Sequence, residues 1–182
     1  MRIDYQFESL TVARSLNGDG PRELCLLWSV AVARLCLEET PREIVPDAVA
    51  EPYQELLDEI EHVECGPWDD ERLAARLEQI DADLDNADAR LRLTDAGGPD
   101  GEADARAALR TLVSRISADG GEPLHLLLST ALDHAACVEQ YRAAIAGATF
   151  DRDVARLAAH KRLVRIAAIR NELSGLTLPA GR

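Results

Sequence analysis

Helical proteins often do their chemistry where a histidine stands three residues from an acid or a thiol, and this chain has four such pairs. Glu59 and His62 make an ExxH spacing with Glu55 one turn earlier, an arrangement used by di-iron carboxylate bundles. Such ligands must point into the bundle. On a helical wheel Tyr53, Leu56, Leu57, Ile60 and Val63 form the apolar face, and Glu55, Glu59 and His62 lie opposite it. A solvated charged face is therefore the reading. The second ExxH, Glu122 to His125, spans Pro123 at a helix start and is weaker.

His62/Cys65 and His134/Cys137 are HxxC pairs that together could make a Cys2His2 zinc set. Cys65, however, abuts Gly66 and Pro67 at a helix end, and His62 is on the polar side. Inert thiols are the expectation, with no metal and no other cofactor. Nucleophilic catalysis has little support, because the chain contains no GxSxG elbow and no Ser/His/Asp series in a turn. Glycine-rich stretches such as NGDG and AGGPDG follow no strand and match no phosphate-binding loop.

The more informative groups lie in the last two helices. His134 borders the apolar stripe formed by Leu124, Leu128, Ala131, Ala135 and Val138, and Arg142 falls near that stripe's centre. A buried guanidinium needs a partner, and Glu172 is one candidate. Alternatively, His134 and Arg142 line an internal ligand pocket with Trp28 or Tyr141. The segment HKRLVRIAAIR, 160 to 170, holds the only lysine and three arginines of a chain with formal net charge -13. Residues 150–182 carry seven basic against three acidic residues, net +4, and the rest carries 13 against 30, net -17.

Lys161 and Arg165 are like charges four residues apart and need a negative surface opposite them. The wheel groups them with Val154 and Ala158, which places them against protein, and Glu78, Asp81, Asp83, Asp85 and Asp88 are candidate partners. The structural expectation is a basic helix docked into an acidic bundle. The functional one is that His160, Lys161, Arg162 and Arg165 bind an anionic ligand or an acidic partner patch.

The elements that must position these residues are helices. The apolar share is 47% with only 4% aromatic, which favours close helix packing. Periodicity predicts an amphipathic helix from Pro21 to Glu39 and a second with Pro52 in its first turn. A third, capped by Asp69 and stapled by Trp68 and Leu73, carries the heptad stripe Leu73, Leu77, Ile80, Leu84, Ala87 and Leu91. The fourth runs through Ala105 to Ile116, the fifth from Pro123 to Ala146 and the sixth from Asp151 to Ser174. The sixth should pack on two sides, with Leu157, Val164 and Ala168 on one and Leu163, Ile166, Ile169 and Leu173 on the other. The expected fold is an all-α bundle of about six helices with a short N-terminal extended arm or helix. It is a single domain over 1–182, with halves 1–93 and 102–182 joined by a Gly/Pro/Asp loop.

Acidity argues against nucleic acid as a partner and against anionic membrane surfaces, and no stretch of 18 apolar residues is present. Four cysteines without a CxxC pair suit a reducing, cytoplasmic setting. The expected function is a non-catalytic, acidic protein-binding module, an adaptor, inhibitor or immunity-type protein whose partner has a basic surface. The alternative is a small-molecule-binding bundle or cofactor-light enzyme with its pocket near His134 and Arg142. The heptad stripe adds the expectation of a homodimer.

Overall fold

The computed structural model describes residues 22–62, 71, 75, 76, 78–80, 82, 83, 98–116 and 122–177. It is an all-α bundle: α1 (Arg22–Glu39), α2 (Asp47–His62), α3 (helical residues 71, 75, 76, 78–80, 82 and 83), α4 (Glu102–Ser114), α5 (Glu122–Ile145) and α6 (Arg152–Thr177). The N-terminal arm, Cys65, the Trp68–Asp69 cap and staple, and residues 94–97 of the interhelical loop lie outside the described residues. Of the heptad stripe, Ile80 is described and is buried in the main core.

The first departure from expectation is α1. Its periodicity predicts one apolar face, yet Val30, Val32, Ala33, Leu35 and Cys36 are all buried, and so is Ser29. The reason is its position: α1 packs against α2, α4, α5 and α6, so it is the central post of the bundle. Ser29 satisfies its hydroxyl within the helix by donating to the Cys25 carbonyl at 2.8 Å. The helix stops before Pro41, and the linker to α2 is pinned, with Ile44 and Val45 buried and the Ile44 carbonyl accepting from Arg106 Nε at 2.6 Å.

The second departure is the start of α2, which is Asp47, so Pro52 is not in its first turn. Pro46 begins the turn, its carbonyl accepting from the N–H groups of Val49 and Ala50, so Pro52 falls inside the helix. The carbonyl it deprives of a donor belongs to Ala48, an exposed residue. The predicted stripe is otherwise the one observed, with Tyr53, Leu56, Leu57 and Ile60 essentially fully buried.

Two glycines set the geometry of α4, α5 and α6. Gly101 precedes α4 with φ +89, and a Cβ there would stand 2.6 Å from the Cys137 carbonyl oxygen of α5. At the end of α5, Gly147 adopts φ +62 while its N–H bonds the Ala144 carbonyl and the Ala148 N–H bonds the Ala143 carbonyl. Asp151 then caps α6, its Oδ1 accepting from the Asp153 N–H at 2.8 Å. These turns lay α6 against α5 and α1.

The third departure follows from that placement. α6 packs on one side, through Ala155, Ala159, Arg162 and Ile166. The second predicted side is open: Leu157 is 53% exposed, Val164 56%, and Ala168 is also exposed.

Candidate functional site

The most deeply buried polar side chain among the described residues is His134 on α5, and its neighbours explain how a histidine survives there. Arg162 of α6 is itself only 3% exposed, and its Nη1 lies 2.6 Å from His134 Nδ1 and 3.1 Å from the Ala131 carbonyl. A guanidinium can only donate, so Nδ1 must accept and the imidazole proton sits on Nε2. Nε2 is 2.9 Å from Thr40 Oγ1, and that hydroxyl donates onward to the Cys36 carbonyl at 2.7 Å. The chain of donors is closed: guanidinium to imidazole, imidazole to hydroxyl, hydroxyl to helix carbonyl.

Electrostatics fit this assignment. Burial, reinforced by the neighbouring Arg162 charge, holds the His134 pKa well below the usual histidine value, so the ring is neutral. The charge of Arg162 is met by Glu39 at the end of α1, which accepts from Nε at 3.0 Å and also from Nη2. The other oxygen of Glu39 pairs with Arg165. Arg162 also donates to Cys36 Sγ at 3.4 Å; burial raises the Cys36 thiol pKa and the cation only partly offsets it. At the other end of the same helix pair, Trp28 Nε1 donates to the Ile166 carbonyl at 3.1 Å.

Several sequence-based placements change. Arg142 is not buried: its side chain is 52% exposed and pairs with Glu139 one turn back, not with Glu172, because the apolar stripe of α5 runs out of neighbours near its C-terminal end. His134 and Arg142 therefore do not share an internal pocket, and Trp28 and Tyr141 are core residues. Lys161 and Arg165 are exposed, and Arg165 is met by Glu39 of α1; of the acids proposed along α3, Asp81, Asp85 and Asp88 lie outside the described residues. His160 is exposed, and Arg162 is the member of the basic cluster that enters the core.

Of the metal-type spacings, His134/Cys137 and the carboxylates Glu55 and Glu59 have local partners, while Cys65 and the side chains of His62 and Glu122 lie outside the described residues. Both ring nitrogens of His134 are engaged, and burial together with Asp104 and Asp133 pushes the Cys137 thiol up to about 11. Glu55 and Glu59 pair with Arg76 of α3. Among the described residues no three His, Cys, Asp or Glu side chains converge as ligands.

What lies above the His134–Arg162 lock is an open groove of about 460 Å3 between α5 and α6. Ala135, Val138, Val154, Leu157 and Ala158 supply its apolar walls. Arg142, Lys161, Arg162 and Arg165 line it with cations, against the acids Glu39 and Glu139. The groove went unseen in the sequence because it depends on which side of α6 the turn at Gly147 leaves uncovered. The available signal was Leu157 and Val164 sharing a face with Lys161, a mixed pattern unlike a core stripe. No protein-family model matches the chain, and comparison with curated proteins and with solved structures finds no significant match.

Proposed function

We propose that this protein is a non-catalytic binding module that receives another protein in the groove between α5 and α6. The observation that carries the reading is the uncovered apolar face of α6: Val154 and Leu157, about half exposed, open into a groove whose floor is already built. The lock beneath it supports a scaffolding role for His134, since both nitrogens are committed and the ring is held neutral. The thiols of Cys25, Cys36 and Cys137 are likewise held protonated by burial.

The basic partner suggested by overall charge has less to grip on α2 than the sequence implies. Arg34 pairs with Asp58 and Glu61, Arg42 with Asp47, and Arg76 with Glu55 and Glu59. No described helix is long and apolar enough to cross a membrane. A homodimer, if formed, would use surfaces other than this groove, because a two-fold axis through it would bring the Lys161 and Arg165 of each copy together.

A photo-crosslinking amino acid placed at Leu157 and, separately, at Glu51 on the exposed side of α2 tests the reading in lysate of the source organism. The expected result is a discrete protein adduct from position 157 and none from 51. Adducts from neither position, or from 51 alone, would remove it. The second reading, a small anionic ligand, is favoured by the groove's volume, which falls in the range of ligand sites. A retained mass in native mass spectra that disappears in Arg142→Glu would establish that reading instead.

A further inference from the structure

We infer that the occupant of the α5/α6 groove is an amphipathic helix with acidic flanks. This rests on the protein-binding reading and adds the conformation and charge of the partner. Conformation follows from the walls. Val154, Leu157 and Lys161 line the groove at steps of three and four along α6, and exposed Val164 lies three residues beyond on the same face, a stripe about 15 Å long, or close to three helical turns. Across from it Ala135 and Val138 of α5 form the other wall. Both walls are helices whose backbone groups are consumed internally, so an extended occupant would bring unpaired N–H and C=O groups onto apolar side chains. A helix brings none, and lays its own i, i+3, i+4, i+7 stripe between the walls.

Charge follows from the rim. Four cations and two acids line the groove, so its local sign is opposite to that of the whole chain, net -13. Glu39 is occupied by Arg162 and Arg165, and Glu139 by Arg142, while Lys161 has no ion-pair partner among the described residues. Repulsion from the acidic body is screened beyond roughly 8 Å at physiological salt, so a docked helix feels the rim more than the body. A second copy of the chain does not fit the same description. Among the described residues the exposed large apolar side chains are Leu126, Ile145, Val154, Leu157 and Val164, all on α5 and α6. The described residues of the acidic helices α2 and α4 therefore offer no apolar stripe to insert.

The test uses the full chain and two fluorescein-labelled helical peptides of about 20 residues. Both carry leucines at i, i+3, i+4 and i+7; one is flanked by Glu and its twin by Lys at the same positions. In fluorescence anisotropy at about 150 mM salt, the Glu peptide is expected to bind at least about tenfold tighter than its Lys twin. Leu157→Glu and Lys161→Glu each weaken the Glu peptide by about tenfold, and Arg142→Glu with Lys161→Glu inverts the preference. These side chains are exposed, and unchanged circular dichroism verifies that each variant folds. Equal binding of the two peptides, preference for the Lys twin, or no saturable binding of either would overturn the inference. So would self-association of the wild type, seen in sedimentation and abolished by Leu157→Glu, because the occupant would then be a second copy. A position-157 crosslink combined with indifference to peptide charge keeps the binding reading and removes the acidic helix; loss of both removes both.

Discussion

His134 is a histidine turned into a structural connector, and its titration should be visible in stability. Its folded pKa is depressed, so its stabilising contribution is present above the unfolded value of about 6.5 and is lost as pH falls toward the folded value. Denaturant midpoints should therefore fall between pH 6.5 and 5, with a slope from this group approaching 1.4 kcal/mol per pH unit. His134→Gln, which can still accept from Arg162 and donate to Thr40, should show a flatter profile over that range. Arg162→Lys should cost about 2 kcal/mol in urea unfolding, since one ammonium cannot reach Glu39, the Ala131 carbonyl and His134 Nδ1 together. An unchanged midpoint would mean the lock contributes nothing. Arg162 could have been recognised as the inward cation: Ala155, Ala159 and Ile166 lie seven and three residues before it and four after it, on its own face. That Glu39 would meet it could not, because Glu39 lies 123 residues away and pattern carries no such pairing.

At the scale of elements, periodicity located the helices of the described segments and misjudged their surroundings. α1 looks amphipathic because Arg34 and Glu38 interrupt it, but its long run of uncharged residues from Leu24 to Ala33 is the mark of a helix surrounded on all sides. For α6 the error was opposite: Leu157 and Val164 read as a second packing face, and no described element covers it. Helical pattern shows which residues share a face, and tertiary placement alone decides whether that face is covered. The two positive-φ glycines give a paired prediction. Gly147→Ala meets no atom within 4 Å and should lose only the backbone term, about 1 kcal/mol. Gly101→Ala adds a clash with backbone of α5 and should lose distinctly more, read as a larger drop in thermal midpoint.

For the molecule as a whole, the excess of 33 acids over 20 bases makes self-repulsion a standing cost of compactness. Raising sodium chloride from about 20 to 300 mM should therefore increase the thermal midpoint by about 2–4 °C, because exposed repulsions are screened while the buried Arg162–Glu39 pair is screened much less. A falling midpoint would show that surface ion pairs outweigh the repulsion. Charge asymmetry was legible at this scale in the sequence, since the basic C-terminal segment and acidic remainder are matters of counting. Its structural use, one carboxylate on α1 holding two arginines of α6, was not. The indole of Trp28 gives this arrangement an optical consequence. Enclosed and hydrogen-bonded to the Ile166 carbonyl, it should emit in the blue only while α6 is seated on α1. In a Trp68→Phe background, the colour of that single fluorophore would report, in real time, whether a partner entering the groove leaves α6 in place or lifts it away.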